Sequence, residues 1–374
     1  MHLALIISSL GAGGAERVLS DLANHWTAQG HKISLITFAS PDTPPFYFLD
    51  PSITLIQLNQ CQTKRFFLSR VKDIIKRIFI LRKTISQLKL DAVLSFIDIT
   101  NLTTLLATRG LGIPVVVTER TNPYFHKIPK AYDWLRSFLY RFSARLVVQT
   151  QNAASYFKPQ LEAHLQIIPN VVHKPFRCMD TLNQHPQHLI SVGRLEVSKD
   201  YATLIHAFSR ILHYHPSLTL TIYGEGRERR SLETLIQTLG LQDNVSLPGN
   251  TYDIQTELLK ADIFIFPSHY EGFPNALCEA MAVGLPVIAS SCSGNVDIVT
   301  DGVNGRLFPI GDTEALTHVT LELLHDLPQR QRLSENGKTL PDQFSQAKIY
   351  ALWDEIIQTT AELKKKSTKK NDVL

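Results

Sequence analysis

Cysteine is scarce in this sequence, and the four cysteines that occur stand apart from one another. They are Cys61, Cys178, Cys278 and Cys292, and no two of them have the spacing of zinc ligands or of a redox dithiol. The histidines likewise lack a neighbouring cluster of cysteines or carboxylates. We therefore expect neither a disulfide framework nor a structural metal, and the cysteine usage is typical of a reducing, cytoplasmic setting.

Long apolar runs are also missing. No stretch of about twenty apolar residues occurs, so the sequence predicts no membrane-spanning helix. The amino-terminal segment has no basic leader before its short apolar run, which favours a first β-strand over a secretory signal. The chain has 374 residues, of which 44% are apolar, and this is enough for about two globular domains.

The glycine-rich turn after the first predicted strand lacks the motif of a nicotinamide-binding site. Gly13 and Gly14 let the backbone approach a ligand and lead into the positive end of a helix. The pattern is not G-x-G-x-x-G, because Glu16 occupies its last position. The second predicted strand ends at residues 38–40 without the acid that would hold an adenine ribose. A nicotinamide-dependent dehydrogenase is therefore disfavoured.

Acidic residues are almost absent from one segment of the first half. Residues 62–89 carry nine lysines and arginines against one acid, and residues 364–370 carry five lysines. Positive charge this local argues for a local anionic partner. As a helix from Arg65 to Lys89, the segment has an apolar face and an opposite basic face. The basic face consists of Arg65, Lys72, Lys76 and Lys83.

Two interpretations of this basic helix stay open. It is either an ordinary crossover helix with a solvated face or an interfacial helix that binds an anionic membrane surface. Phe79 and Ile80 are apolar residues placed among the basic ones, which favours the membrane interpretation. Nucleic acid is a poorer partner, because no RNA- or DNA-binding motif accompanies the charge.

Strand and helix patterns alternate along both halves of the chain, and a polar stretch at residues 170–188 separates them. Such alternation predicts right-handed crossovers and largely parallel sheets. The simplest architecture is α/β, with two doubly wound, Rossmann-like domains facing across a cleft. The predicted domains are 1–175 and 176–345, followed by a last helix and a basic tail over 346–374.

The segment of residues 271–290, EGFPNALCEAMAVGLPVIAS, is the most informative in the chain. Glu271 and Glu279 are eight residues apart, the first in a Gly/Pro loop and the second inside a predicted helix. Pro274 and Asn275 mark the start of that helix. The N–H groups at a helix start suit a phosphate, and a carboxylate one turn further in suits sugar hydroxyls.

Three other predicted strand ends in the second half carry candidate ligand-binding residues. An arginine and a lysine five residues apart at one of these ends can jointly neutralise a diphosphate. Because the carboxyl ends of parallel strands meet at one edge, we expect a nucleotide to lie there. The candidates are Gly193, Arg194, Lys199, Gly224, Asn250 and Thr251.

Together these patterns resemble the retaining glycosyltransferases of family 4, which have the GT-B fold. The spacing of Glu271 and Glu279 is similar to the E-x7-E motif of that family. Gly193, Arg194 and Lys199 fall in a G-R-L-x-x-x-K pattern that the family also shares. The resemblance implies that the terminal helix crosses back to the first domain.

The resemblance also implies a role for each candidate residue. Arg194 and Lys199 would stabilise the leaving diphosphate, and Glu271 would be the catalytic carboxylate that faces the transferred sugar. Glu279 would bind the ribose hydroxyls. The other donor-binding residues would be Gly13, Gly14, Gly193, Gly224, Asn250, Thr251, Phe273, Pro274, Asn275, Ala276 and Leu277.

One departure from the family concerns the acceptor side. Many relatives carry a histidine after the strand that corresponds here to residues 114–118, whereas this chain has Thr118-Glu119-Arg120-Thr121-Asn122-Pro123. Candidate acceptor-side residues are Glu16, Glu119, Arg120 and His126. An E-R-[ST]-N-P pattern is familiar among bacterial members that add N-acetylgalactosamine or related sugars to lipid-linked or capsular glycans.

The expected function is retaining transfer of an N-acetylhexosamine or hexose from a UDP-sugar, without a metal or another cofactor. The expected acceptor is a lipid-linked glycan or polysaccharide precursor, and the enzyme would be cytoplasmic and peripherally bound to the inner face of the cytoplasmic membrane. Two alternatives stay open: a nucleotide-sugar epimerase of the same fold, and a non-catalytic subunit that recruits partners to the membrane.

Overall fold

The computed structural model describes residues 1–60, 67–125 and 128–371. The chain forms two compact units. Unit one contains Met1–Pro169 and Ile349–Leu374, and unit two contains Asn170–Lys348. Within these described ranges, no helix combines the length and the apolar character needed to cross a bilayer.

Unit one is built on a parallel sheet of seven strands in the order β3-β2-β1-β4-β5-β6-β7. Short apolar runs form these strands because both faces of the sheet are covered by helices. The strands are β1 (His2–Ile7), β2 (Lys32–Thr37), β3 (Thr54–Gln57), β4 (Ala92–Phe96), β5 (Val115–Thr118), β6 (Arg145–Val148) and β7 (Leu165–Ile167).

The helices of unit one are divided between the two faces of this sheet. The chain moves to one side from β1 to β3 and to the other side from β4 to β7, so right-handed crossovers put α1 on one face and α2–α5 on the other. These helices are α1 (Gly14–Ala28), α2 (Phe67–Gln87), α3 (Asp98–Thr108), α4 (Lys130–Leu139) and α5 (Gln151–Leu161). Side chains from α2 to α5 share one core with the sheet.

The last helix, α13 (Gln346–Asn371), packs mainly on unit one. The ring of Trp353 stacks on Phe96 with the ring centroids 6.4 Å apart. The indole N–H of Trp26 donates a hydrogen bond of 2.8 Å to the Asp354 carboxylate. Burial raises the pKa of Asp354, but hydrogen bonds from Gln29, Trp26 and His25 outweigh that effect and lower it.

We expect the Asp354→Asn variant to lose less stability in acid than the wild type. A carboxylate whose pKa is lowered on folding adds stability above its unfolded value of 3.8, and that stability disappears as the pH falls through the folded value. Urea unfolding midpoints between pH 7 and pH 3 should therefore fall more steeply for the wild type. Asp180→Asn, at an exposed carboxylate, is the control, and parallel curves for Asp354→Asn and the wild type would contradict the prediction.

Unit two repeats this architecture with six parallel strands in the order β10-β9-β8-β11-β12-β13. The strands are β8 (His188–Val192), β9 (Thr219–Tyr223), β10 (Val245–Gly249), β11 (Ile263–Phe266), β12 (Val287–Ser290) and β13 (Arg306–Phe308). The helices are α6 (Tyr201–Ile211), α7 (Arg229–Thr238), α8 (Ile254–Leu259), α9 (Asn275–Val283), α10 (Thr313–His325), α11 (Leu327–Gly337) and α12 (Leu340–Gln343).

The strand order of unit two reverses between β8 and β11. From β8 the chain proceeds outward to β10, then returns to place β11 on the other side of β8. The loops that leave these two strands diverge to opposite faces of the sheet and leave a crevice at their carboxyl ends. In open α/β sheets, ligands bind in this crevice.

Candidate active site

The loops after β8 and β9 are in direct backbone contact. The amide of Gly193 donates to the carbonyl of Tyr223 over 2.9 Å, and the amide of Leu195 donates to Glu225 over 3.0 Å. A Cβ atom on Gly224 would lie 2.0 Å from the carbonyl oxygen of Gly193. Glycine is therefore required at position 224, and the two loops form one rigid edge of the crevice.

Lys199 and Glu271 meet at the reversal point. The ammonium of Lys199 lies 2.5 Å from Oε1 of Glu271, and the two side chains are only 17% and 11% exposed. The Ser268 hydroxyl donates to the same carboxylate oxygen over 2.6 Å. The Lys199 ammonium also lies 4.8 Å from the centre of the Phe266 ring. The structure thus joins the predicted cation and the first predicted carboxylate in one partly buried ion pair.

Three polar residues that the sequence analysis missed, Ser268, Ser290 and Asn295, hold Glu271 in place. The buried Asn295 side chain donates to the Ser290 carbonyl over 3.0 Å, and the Ser290 hydroxyl donates to the Ser268 carbonyl over 2.5 Å. A Cβ atom on Gly294 would lie 2.6 Å from that of Glu271, so this loop packs directly on the glutamate. Ser268 follows β11 and Ser290 ends β12. This shared position at the carboxyl edge of the sheet is the feature of the sequence that could have identified them.

Helix α9 begins beside this ion pair, with Pro274 as its N-cap and no side-chain cap. The amides of Ala276 and Leu277 belong to the first turn, where N–H groups have no acceptor within the helix. The Asn275 side-chain oxygen accepts a hydrogen bond of 2.9 Å from Asn170. The start of α9 thus presents backbone N–H groups of the kind that bind phosphate.

Glu279 lies in the second turn of α9 and is half-buried. Burial raises the pKa of the neighbouring Cys278 thiol, and the charges of Glu279 and Glu271 raise it further. Both predicted carboxylates therefore act electrostatically on the same buried thiol. The predicted spacing of eight residues brings the two glutamates to one end of α9.

Arg194 is arranged differently from Lys199. Its guanidinium pairs with Glu196 at 3.2 Å, and its side chain is 76% exposed. The two predicted cations therefore share a loop but have different partners. A role for Arg194 at a diphosphate requires its guanidinium to leave Glu196, and an exposed ion pair of this kind costs little to break.

The carboxyl end of β10 carries the residues predicted to lie near a nucleotide base. Asn250 is exposed and Thr251 is half-buried, with its hydroxyl accepting a 3.2 Å hydrogen bond from the Asp253 amide. Beside them, the Arg229 guanidinium donates hydrogen bonds of 2.7 and 2.6 Å to the Glu225 carboxylate. These bonds from Arg229 lower the pKa of Glu225, which fixes a charged carboxylate near the end of β9.

In unit one, the glycine-rich turn lies at the carboxyl end of β1, where the strand order reverses again. Gly13 is the N-cap of α1 and Gly14 is its first residue. A Cβ atom on Gly13 would lie 2.0 Å from a carboxylate oxygen of Glu16, so the Glu16 side chain folds back over the helix start. The proposed donor and acceptor roles of this turn stay predictions.

Glu119 lies inside unit one rather than on its surface. It is 2% exposed, accepts a hydrogen bond from the Tyr140 hydroxyl and lies 3.7 Å from the guanidinium of Arg136. Burial, and then the Glu119 charge, raise the pKa of Tyr140. These contacts tie β5 to α4, and a part for Glu119 on the acceptor side stays a prediction.

Arg120 follows Glu119 and lies against the stacked rings of Phe96 and Trp353. Its guanidinium carbon is 4.7 Å from the Phe96 ring centre and 5.4 Å from that of Trp353. Burial lowers its pKa to about 9. Arg120 thus connects β5 with α13, and the remaining acceptor-side candidate, His126, lies outside the described residues.

The exposed face of α2 mixes cations with apolar side chains. Lys72, Lys76 and Lys83 are exposed, and the predicted fourth cation, Arg65, lies outside the described residues. Between these lysines, Ile75 is 48% and Phe79 67% exposed. Across the ranges that the structure describes, no group of three or more His, Cys, Asp or Glu side chains could hold a metal ion.

Two family models match the chain. Residues 12–174 match "Glycosyltransferase Family 4", and residues 180–340 match "Glycosyl transferases group 1". The chain belongs to the family 4 glycosyltransferases. The predicted family and the predicted enzyme class, a transferase, are confirmed.

One curated relative matches this glycosyltransferase over nearly its whole length. It is the GalNAc-alpha-(1->4)-GalNAc-alpha-(1->3)-diNAcBac-PP-undecaprenol alpha-1,4-N-acetyl-D-galactosaminyltransferase of Campylobacter jejuni. The two sequences are 27% identical over 360 residues, which cover 96% of this chain and 98% of the relative.

Solved structures confirm the predicted GT-B fold of this glycosyltransferase. HepE from Anabaena, solved in complex with UDP, superposes with a TM-score of 0.78 at 19% identity over 96% of this chain and 100% of its own. Sucrose-phosphate synthase from Thermosynechococcus elongatus superposes with a TM-score of 0.82 at 19% identity over 98% and 99%.

Proposed function

We propose that this glycosyltransferase moves an N-acetylhexosamine or hexose from a UDP-sugar to a lipid-linked glycan acceptor, with retention at the anomeric carbon. The observation that carries the proposal is the partly buried Lys199–Glu271 pair beside the uncapped start of α9. A cation, a carboxylate and free amides at one strand-order reversal suit a sugar diphosphate better than a neutral ligand.

The difficult step is departure of the diphosphate, on whose oxygens negative charge grows. Lys199 and the amides of Ala276 and Leu277 would stabilise that charge, and Arg194 would join them after leaving Glu196. Glu271 would hold the transferred sugar, and Glu279 the ribose hydroxyls. Because these groups supply the positive charge themselves, we propose that the reaction proceeds without a metal ion.

Retention follows in this proposal from attack on the face that the diphosphate leaves. The leaving phosphate oxygen would take the proton of the acceptor hydroxyl, so that one bond breaks and one forms on the same side of the sugar. The resemblance of Glu271 and Glu279 to the E-x7-E motif of retaining enzymes supports this course.

The choice of donor and acceptor rests on the relatives. The Campylobacter jejuni protein is named for N-acetylgalactosaminyl transfer to an undecaprenyl-diphosphate-linked glycan, and HepE was solved with UDP. The exposed lysines of α2, interspersed with Ile75 and Phe79, fit an enzyme whose acceptor lies in a membrane. We place the enzyme peripherally on the inner face of the cytoplasmic membrane.

A panel of UDP-sugars tests the proposal. The purified enzyme is incubated with each donor and with polyprenyl-diphosphate-linked acceptors in vesicles, in the presence of EDTA. We expect a mass increase of one or more sugar residues with a UDP-sugar, and NMR of the product should show the anomeric configuration of the donor. An inverted configuration, transfer only from another nucleotide, or sugar isomerisation without acceptor would overturn it.

A further inference from the structure

Three large aromatic side chains are exposed along one edge of unit one. Trp134 and Phe138 lie on α4, and Phe142 lies in the turn that follows it, so each is four residues from the next. They are 68%, 43% and 47% exposed, respectively. We call Trp134, Phe138 and Phe142 the aromatic ridge.

The rings of the aromatic ridge pack on one another. The Trp134 and Phe138 rings are stacked with centroids 5.8 Å apart, and Phe138 meets Phe142 edge to face at 5.6 Å. The opposite side of the same segment fills the core with Leu139 and Tyr140, which are 5% and 0% exposed. The ridge is thus an ordered apolar surface additional to the core, and contiguous exposed patches of this kind mark interaction sites.

Positive charge surrounds the aromatic ridge. The Arg109 guanidinium lies 3.8 Å from the centre of the Phe142 ring. Lys130 precedes the ridge in sequence, Arg141 stands next to Phe142, and both are exposed. The acid of α4, Asp133, is paired with the buried Arg136 at 2.6 Å. The charge beside the rings is therefore predominantly positive, which is complementary to an anionic surface.

The ridge and the lysine-bearing face of α2 lie on the same side of unit one. Helices α2 and α4 flank α3, and apart from Ile99 and Leu106 every residue of α3 is buried. Phe79 and Ile75 on α2 and the aromatic ridge on α4 thus emerge from one layer of helices, each accompanied by cations. Aromatic rings flanked by lysine and arginine are the composition that sits at the boundary between lipid headgroups and acyl chains.

We propose that the aromatic ridge inserts into the headgroup region of a bilayer that contains anionic lipid, with Trp134 as its main anchor. This inference rests on the proposed function, because a lipid-linked acceptor requires the enzyme to work at a membrane. Binding to the bilayer is nevertheless measured without donor or acceptor, so the two proposals fail separately.

Tryptophan fluorescence provides a direct readout. The sequence contains three tryptophans, and Trp26 and Trp353 are each 1% exposed, so Trp134 alone responds to solvent. Vesicles of phosphatidylcholine with phosphatidylglycerol should shift the emission of the full chain to shorter wavelength. Lipids brominated near the headgroup should quench that emission. Vesicles of phosphatidylcholine alone should give a smaller shift and weaker quenching.

Co-sedimentation with the same vesicles tests the ridge by substitution. We expect Trp134→Ala with Phe138→Ala to lower the partition coefficient by about 10- to 100-fold, because two rings no longer leave water. The matched control is Tyr214→Ala, which removes a 71% exposed aromatic side chain from unit two and should bind vesicles as the wild type does. Thermal unfolding midpoints of all variants should agree, since the rings lie outside the core.

Three outcomes would overturn the inference. The double variant could sediment with vesicles as the wild type does, or the wild type could show no spectral shift with anionic vesicles. Alternatively, light scattering could show that the wild type is a dimer and the double variant a monomer, while both bind vesicles equally. The ridge would then be a contact with a second copy of the chain. Ridge-dependent vesicle binding without transfer from any UDP-sugar would support the inference and contradict the proposed function.

Discussion

The Lys199→Ala variant should lower kcat for sugar transfer by about 10²- to 10³-fold, which is the usual effect of removing one preorganised group that stabilises charge in the transition state. Lys199 is the cation that the structure holds against Glu271 at 2.5 Å, with both side chains largely buried. Its charge is needed most when the diphosphate leaves. We therefore expect a large change in kcat and a smaller one in KM for the donor, both measured with a lipid-linked acceptor.

Loss of activity by unfolding has to be separated from loss of charge stabilisation. Removing Lys199 leaves the Glu271 carboxylate without its counter-charge, so the unfolding midpoint of Lys199→Ala should be measured alongside its rate. Lys260→Ala is the matched control, because Lys260 also pairs with a glutamate, Glu257 at 2.8 Å, but is 59% exposed. A folded Lys199→Ala variant with nearly normal turnover would reject the assignment of Lys199 to the leaving group.

The sequence predicts the strands of unit one closely, because buried parallel strands appear as short apolar runs between helical patterns. For example, the predicted strand at residues 114–118 is β5 (Val115–Thr118), and the second predicted strand, which ends at residues 38–40, is β2 (Lys32–Thr37). In unit two, β13 (Arg306–Phe308) was not predicted, because it offers only two apolar residues between an arginine and a proline. The helices α10 to α12 were likewise missed.

The active-site motifs are local, but their pairing is not. Spacing alone places Glu271 before a helix and Lys199 after a strand, and these predictions agree with the structure of α9 and β8. That the two side chains meet depends on β8 and β11 being neighbours in the sheet, although 72 residues separate Lys199 from Glu271. Strand order is a tertiary property, and no pattern within one segment contains it.

The same reason explains why the residues that hold Glu271 in place were not identified from the sequence. Ser268, Ser290 and Asn295 are common polar residues in loops, and nothing in their spacing distinguishes them from solvated ones. Asn295 becomes recognisable only when the structure shows that it is fully buried and donates to Ser290. Arg194 is the converse case, since its pattern points to a diphosphate while its guanidinium pairs with Glu196.

The Gly224→Ala variant should lower sugar transfer by about 10²-fold, the cost of misplacing reacting groups by roughly 1 Å. Its φ of +140° is rarely adopted by residues with a side chain, and the added methyl group would lie 2.0 Å from the Gly193 carbonyl oxygen. That oxygen belongs to the backbone and cannot turn away, so the whole loop after β8 must shift. This loop carries Arg194 and leads to Lys199, so UDP binding by calorimetry should weaken together with the rate.

Gly240 provides the matched comparison for this prediction. It also has a positive φ, +68°, but an added Cβ atom would meet nothing within 4 Å. Gly240→Ala should therefore reduce the thermal unfolding midpoint through backbone strain alone and leave UDP affinity unchanged. Gly224→Ala should lose affinity beyond what its own stability loss explains, because it displaces a loop of the active site. Equal UDP affinity in the two variants would show that the contact between the β8 and β9 loops does not position the groups that bind the diphosphate.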